Sequence, residues 1–367
     1  MKSQNLKLST NSTLSRRDFL SRVAVAGLAI SIPLSPSIWS NKLESVIKLG
    51  MIADLHHDIM HDGFERMAAF VNTMRAFRPD GVVQMGDFAV PKPENTPLVE
   101  LFQKCSGEHF HVLGNHDIDG GYSYEQCVSQ WKMPHRFYKK SIKGLDIVVL
   151  DGNDKGSPAF GGGYPSYIGE DQFQWLSEQL ENSEAPVLIL SHQPLAGTIA
   201  VDNAKQLQSL LARYQDKIIA AICGHSHTNQ MFHHRGVAYI HLNSASYYWV
   251  GDQYRHNSFS KQVHDEYPWI SRTCPYKDGL FAKLTIDPQA GKMSLVGRSS
   301  AWVGASPKEL GLNIKPIDIV QPNLSDRFLD ISEKIRQLGS AEKLKNDQFL
   351  KLARKAPHTG FSFSGFE

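Results

Sequence analysis

Cysteine is scarce: Cys105, Cys127, Cys223 and Cys274 are the only four in 367 residues, and their spacing fits no zinc-binding pattern. That excludes a zinc ribbon and a small fold stapled by many disulfides. Cys223 closes the apolar run Ile218–Cys223 and reads as a small buried hydrophobe. Outside the cytoplasm cysteines can pair, and connectivity does not follow from spacing. Charge of one sign is also missing. Lys and Arg number 39 against 37 Asp and Glu, a formal net charge of +2. With no basic stripe either, no nucleic-acid polymer is expected as a partner. No apolar run reaches the length of a membrane span. The stretch Val23–Leu34 is short and rich in Ala, Gly and Ser, so stable membrane insertion is not expected. Internal repeats and low-complexity tracts are absent, which excludes a repeat architecture.

What is present begins near the N-terminus. Ser15-Arg16-Arg17-Asp18-Phe19-Leu20 precedes the Val23–Leu34 stretch. Paired arginines, then Phe-Leu, then a short apolar region read as an export signal of the twin-arginine type. The expected partner is the Tat export machinery and the expected location periplasmic or extracellular. No small-x-small cleavage site stands out, so cleavage is placed within Ser35–Ser40. No cysteine lies nearby, which argues against a lipid anchor. Residues 1–42 are therefore set aside as signal peptide.

From Ser45 to Leu113 the pattern reads strand, helix, strand, helix, strand, which predicts layered α/β architecture. The helix Phe64–Phe77 carries Met67, Phe70, Val71, Met74 and Phe77 on one face and ends before Pro79. Further on, a hairpin is expected across Lys143-Gly144. Strands are expected at Val187–Leu190, Ile218–Cys223 and Val237–Leu242, helices at Asp171–Leu180 and Ala204–Tyr214, and a last hairpin across Asp287-Pro288. Residues 304–367 read as a C-terminal extension with helical spacing at Phe328, Leu329, Ile331 and Ile335.

Five blocks follow expected strands in turn: Asp54-Leu55-His56, Gly86-Asp87, Gly114-Asn115-His116-Asp117, Ser191-His192 and Gly224-His225-Ser226-His227. A ligand at a strand end lies at a sheet edge, where several such ends converge. Asp, Asn and His suit divalent metals that take mixed oxygen and imidazole donors. Two such ions about 3.5–4 Å apart clamp a phosphoryl group and make water nucleophilic at neutral pH. A carboxylate must bridge them, and Asp87, following a glycine that permits a sharp turn, is suited to it. Singly, each block has an ordinary reading as a turn or a solvated pair. Their conjunction, in order and each at a strand end, is the signal.

With these blocks the chain resembles the calcineurin-like metallophosphoesterases over about Val46–Leu242. The resemblance implies a four-layer αββα sandwich of two mixed sheets flanked by helices, with residues 43–303 as the catalytic domain. It implies two divalent ions (Mn, Fe or Zn). Asp54, His56 and His227 would hold one, Asn115, His192 and His225 the other, and Asp87 would bridge. His116 would be the general acid or stabilise charge on the phosphoryl group, with Asp117 orienting its ring. The second block departs from the commoner Gly-Asp-x-x-Asp: Val90 stands where the later aspartate would be.

Selectivity for the rest of a small phosphate-ester substrate would come from loops. Three stand out: Asp119–Tyr122, Gly161–Tyr167, and Ser246–Trp249 with Tyr254, Arg255 and His256. Tyr122, Tyr247, Tyr248 and Arg255 are the candidate substrate contacts, the tyrosines by stacking and Arg255 by pairing with a phosphate. Packing as lid or core is the competing reading for the aromatics. The Gln172-x-x-Trp175-Leu176 helix is similar to those of class III cyclic-nucleotide phosphodiesterases and of ADP-ribose/CDP-alcohol diphosphatases. The expected activity is hydrolysis of a small phosphodiester, nucleotide or pyrophosphate. A secreted phosphomonoesterase for phosphate scavenging and a non-catalytic metal-binding scaffold are the alternatives.

Overall fold

The structure, a computed structural model, describes residues 45–315 and 318–338. The twin-arginine segment, its cleavage region and the tail beyond 338 lie outside the described residues. In chain order the elements are β1 (Ile47–Ile52), α1 (Gly63–Phe77), β2 (Gly81–Gln84), α2 (Thr96–Phe102), β3 (Glu108–His111), α3 (Tyr124–Gln130), β4 (Tyr138–Ile142) and β5 (Leu145–Leu150). Then come α4 (Glu170–Asn182), β6 (Val187–Ser191), α5 (Ala204–Arg213), β7 (Ile218–Cys223), β8 (Gln230–His234), β9 (Val237–His241) and β10 (Tyr247–Trp249). The last are α6 (Lys261–Glu266), β11 (Thr273–Pro275), β12 (Ala282–Asp287), β13 (Lys292–Val296) and β14 (Arg327–Asp330).

Two six-stranded sheets carry the fold, in the orders β14-β13-β12-β1-β2-β3 and β4-β5-β6-β7-β9-β8. Both are mixed. In the first, β1, β2 and β3 are parallel, and β12 runs antiparallel to β1. In the second, β5, β6, β7 and β9 are parallel, with antiparallel β4 and β8 at the edges.

The period-two alternation of strand side chains sorts residues into layers. Ile147 and Val149 of β5 and Leu188 and Leu190 of β6 join Leu49, Met51 and Val83 of the first sheet in one core between the sheets. The intervening Val148, Leu150, Val187 and Ile189 face the other way, onto Leu176 and Leu180 of α4 and Leu207 and Leu211 of α5. Both faces of these strands are covered, so their sequences read as continuous apolar runs rather than alternating ones. On the far side of the first sheet, α1 lies against β1 so closely that a Cβ on Gly50 would collide with Met74 Sδ. Each fully buried Leu, Ile, Phe or Met stabilises this packing by roughly 1.5–3 kcal/mol. The result is the helix–sheet–sheet–helix order expected.

Several elements depart from the sequence reading. α3 buries only Cys127 among its own residues and so shows no apolar stripe; its start is marked instead by a capping box between Ser123 and Gln126. β8 is polar and ends on exposed His233 and His234, the profile of an edge strand. The stretch after residue 303, read as an appended helical extension, supplies β14 to the first sheet, paired antiparallel with β13. Phe328 is 69% exposed while Leu329 and Ile331 are buried, a strand alternation that the helical spacing had masked. Among the described residues, helix follows over 332–338. The four cysteines are free and buried. No helix among the described residues is long and apolar enough to cross a membrane.

Candidate metal centre

Parallel strands end at a common edge, which is where open α/β sheets place their ligands. Asp54 follows β1, Asp87 follows β2, Asn115 follows β3, His192 follows β6, and His225 and His227 follow β7. Backbone hydrogen bonds prolong the β1–β2 pairing past the strands: Asp54 N–H donates to Gly86 O, and His56 N–H to Asp87 O.

The chain bends sharply at these points. Asp54, His56, Asp87, His225 and His227 have φ between 48° and 64°. Such left-handed backbone costs an L-residue about 1–2 kcal/mol, and persists only where surrounding contacts impose it. Here those contacts run from block to block. Both Asp54 carboxylate oxygens accept from His225 N–H, at 2.9 and 3.1 Å. Asp87 Oδ1 accepts from His116 N–H at 2.8 Å. Gly86, at φ 95°, is required twice over, because a Cβ there would also stand 2.5 Å from His192 Nδ1.

Two groups of side chains result. Asp54, His56 and His227 converge, as do Asp87, His192 and His225, with the ligand atoms of each group within 4.8 Å of one another. In the first, His227 Nε2 lies 3.2 Å from Asp54 Oδ1 and 3.2 Å from His56 Nε2. In the second, Asp87 Oδ2 lies 3.1 Å from His192 Nε2. The same Asp87 oxygen is 3.6 Å from His56 Nε2 in the first group, so this carboxylate stands between the two.

These residues fit a pair of divalent ions. His192 Nδ1 donates to Met85 O, and His227 Nδ1 to Tyr247 O, both at 2.8 Å, which leaves each Nε2 lone pair for a metal. His192 Nε2 and Asn115 Oδ1 are buried with no hydrogen-bond partner. Burial holds His56 well below its ordinary pKa and pushes His225 down to about 3, so both rings are neutral. Burial alone would raise the Asp87 carboxyl, but His192 and His116 hold it well down when a proton occupies His192 Nε2, a ring that Asp87 pushes up to about 10; a divalent ion would stand in place of that proton. A buried carboxylate ringed by imidazoles calls for positive charge, which a divalent cation supplies.

His116 sits beside this centre, its ring centroid 5.4 Å from that of His56. Its Nδ1 lies 2.7 Å from Asp119 Oδ2 and 3.2 Å from the Tyr164 hydroxyl. This corrects the role expected of Asp117. That carboxylate turns inward and accepts backbone N–H bonds from Gly114, Phe88 and Asp87, at 2.7, 2.7 and 3.2 Å. It ties the second and third blocks together and has no oxygen on the His116 ring. Burial and the nearby Asp87 raise its pKa to about 7.

The expected substrate contacts disperse. Tyr247 is buried and stacks on His56 at 4.8 Å, backing the ligands rather than facing outward. Tyr248 points to the opposite side of β10, as strand alternation requires. Neither it nor Tyr122 makes a hydrogen bond or ring contact with the metal-binding side chains. Arg255 pairs with Asp252 and is half exposed. The residues missed are Asp119 and Tyr164. The signal for Asp119 was its position three residues after His116, in a stretch too short for an α-helix; for Tyr164, its place in the glycine-rich loop. The Gln172 motif proves structural: its amide bonds both Asp151 N–H and Asp151 O, at 2.8 Å each, and Asp154 at 2.9 Å.

Strand-end placement and paired ligand groups are the marks of a dinuclear hydrolase of phosphate esters. A family model described as calcineurin-like phosphoesterase matches residues 47–229, from β1 to just past the final ligand. The chain belongs to that family and is a metal-dependent phosphoester hydrolase. Among solved structures, a dimetal phosphatase from Danio rerio is 17% identical with a TM-score of 0.50, the match covering 71% of this chain and 99% of that one. GAP50, the anchor in the inner membrane complex of Plasmodium, is 16% identical with a TM-score of 0.50, covering 70% of this chain and 85% of that one. At such identities the likeness is one of fold. No curated protein matches the chain.

Proposed function

We propose that the protein hydrolyses a small phosphodiester, nucleotide or pyrophosphate, and does so after export by the twin-arginine route. The observation that carries the reading is the Asp87 carboxylate between two buried ligand groups, 3.1 Å from His192 in one and 3.6 Å from His56 in the other. When bound, a divalent pair supplies Lewis acidity that makes water nucleophilic and draws charge from the phosphoryl group.

The chain's own residues do the rest. Asp54, His56 and His227 would hold one ion, Asn115, His192 and His225 the other, and Asp87 would serve both. His116, partly exposed beside them, donates a proton to the departing oxygen. Asp117 fixes the loops that carry Asp87 and His116. Tyr247 closes the site from behind and keeps bulk water from that side. Arg16 and Arg17 support export of the folded chain.

The test is to strip metal with a chelator, restore Mn²⁺, Fe²⁺ or Zn²⁺ singly, and assay bis-p-nitrophenyl phosphate against p-nitrophenyl phosphate. Metal-dependent turnover with the diester preferred supports the proposal. Preference for the monoester moves it to phosphate scavenging, and no turnover across a broad ester panel overturns it. Export is read separately, from where a reporter fused to residues 1–42 accumulates when Arg16 and Arg17 are both changed to Lys; an unchanged distribution would refute it.

A further inference from the structure

The second block lacks a carboxylate at Val90, which is buried and gives its N–H to Asp58 at 2.8 Å. Asp117 is occupied by backbone. The acid side chain at His116 comes instead from within its own turn. His116–Ile118 forms one turn of 3-10 helix, closed by Asp119 N–H to His116 O at 3.2 Å. With three residues per turn, side chains i and i+3 eclipse, so Asp119 comes to rest beside the His116 ring. Gly120 and Gly121, at φ 79° and 89°, then turn the chain away.

The third member arrives from far along the chain. Tyr164 reaches in from the Gly161–Tyr167 loop and donates its hydroxyl hydrogen to Asp119 Oδ1 at 2.5 Å. Its oxygen lies 3.2 Å from His116 Nδ1, and the two rings are 4.7 Å apart. The donor count closes only one way. A carboxylate only accepts, and the Tyr164 hydrogen is already given to Asp119, so His116 Nδ1 must carry the proton that points at both. That fixes the ring and leaves Nε2 as the atom that meets the substrate. Gly162 and Gly163, at φ 105° and 82°, have open space where a Cβ would be, so they serve the path of the loop rather than its packing.

We propose that Asp119 and Tyr164 are positioning residues for His116, a clamp formed between its own turn and the glycine-rich loop, and that this clamp sets how well the protein expels poor leaving groups. The proposal rests on the phosphoesterase reading for its reaction, though not for its geometry. When the ester P–O bond breaks, its electron pair stays on the departing oxygen. That oxygen takes the Nε2 proton of the His116 imidazolium, the attacking water forms the new P–O bond, and the proton the water gives up passes to solvent, from which His116 is restored. A leaving group that is stable as an anion needs no such proton.

The test measures kcat and KM for methyl aryl phosphodiesters running from p-nitrophenyl through phenyl to p-methoxyphenyl, with wild type, Asp119→Asn and Tyr164→Phe. Metal content and Tm of each variant show whether it is folded and loaded. Expected is a loss of kcat that grows along the series. For Asp119→Asn it is under about threefold at p-nitrophenyl and more than about tenfold at p-methoxyphenyl, within the range of acid catalysis. Tyr164→Phe loses less, and KM changes little in both. Equal losses along the series overturn the proposal, since a merely structural role would act that way. A second readout needs no turnover: with ¹⁵N-histidine labelling, the His116 Nδ1–H proton should resonate far downfield and move upfield in both variants. An unmoved resonance also overturns the clamp. Should the wild type hydrolyse no ester, the phosphoesterase reading fails while the resonance still decides the geometry.

Discussion

The two sides of the centre are built in opposite ways. On the metal side, Asp54, His56, Asp87, His225 and His227 occupy left-handed backbone, and hydrogen bonds from neighbouring blocks hold them there. On the other side, the Gly161–Tyr167 loop is mostly exposed and its glycines face open space. Tyr164, itself 46% exposed, is its link to His116. Strain is tolerable where many contacts impose it and pointless where few do. The metal side is thus preorganised, while the loop side has latitude to admit and release a substrate.

Four substitutions bear on that contrast. The largest effect is expected for Asp87→Asn, which removes the one carboxylate charge that the two ions would share. It should lower kcat/KM by more than the roughly 10–100-fold typical of an outer partner's loss. Elemental analysis should find fewer than two ions per chain. Next is Gly86→Ala, whose methyl would meet His192 Nδ1 on backbone at φ 95°. A loss of about 2–4 kcal/mol is expected from overpacking and the wrong φ together, read as a fall in denaturant midpoint with weaker metal retention. Asp117→Asn should cost about 1–3 kcal/mol, because an amide offers a donor where three backbone N–H groups need an acceptor. The measurement that matters is the leaving-group series: its slope should stay at the wild-type value, in contrast to Asp119→Asn. Smallest is Gly162→Ala. It also has positive φ, yet a free, exposed loop can relax, so about 1 kcal/mol or less and a change in kcat under about threefold are expected. If Gly86→Ala and Gly162→Ala proved equally damaging, the contrast between the two sides would fail.

The same contrast explains what could be read from sequence. The β strands and the residues that end them were legible because burial on both faces writes long apolar runs, and a polar block after each run stands out. The layered α/β class followed from their alternation with helices. Asp117 misled because adjacency to His116 in sequence suggests contact, whereas consecutive side chains in a tight turn point apart and a residue three further on points back. Tyr164 was hidden because a loop position has no periodicity from which to infer direction. β14 was missed because four residues cannot distinguish a strand from a helix when the apolar pair Phe328 and Leu329 is adjacent.

One pairing has a consequence for how the protein is made. β1 carries Asp54 at its end, and its neighbours are β2 on one side and β12 on the other, with Ile47 opposite Ile286. The ribosome delivers the chain from its N-terminus, so β1 waits for more than two hundred residues of synthesis, to judge from that pairing, before its second edge is covered. The sheet is closed later still, when Arg327–Asp330 arrives. The edge of β1 is therefore covered only once β12 has been made, and a truncation before β12 should leave the first ligand strand as an open, aggregation-prone edge rather than a smaller enzyme.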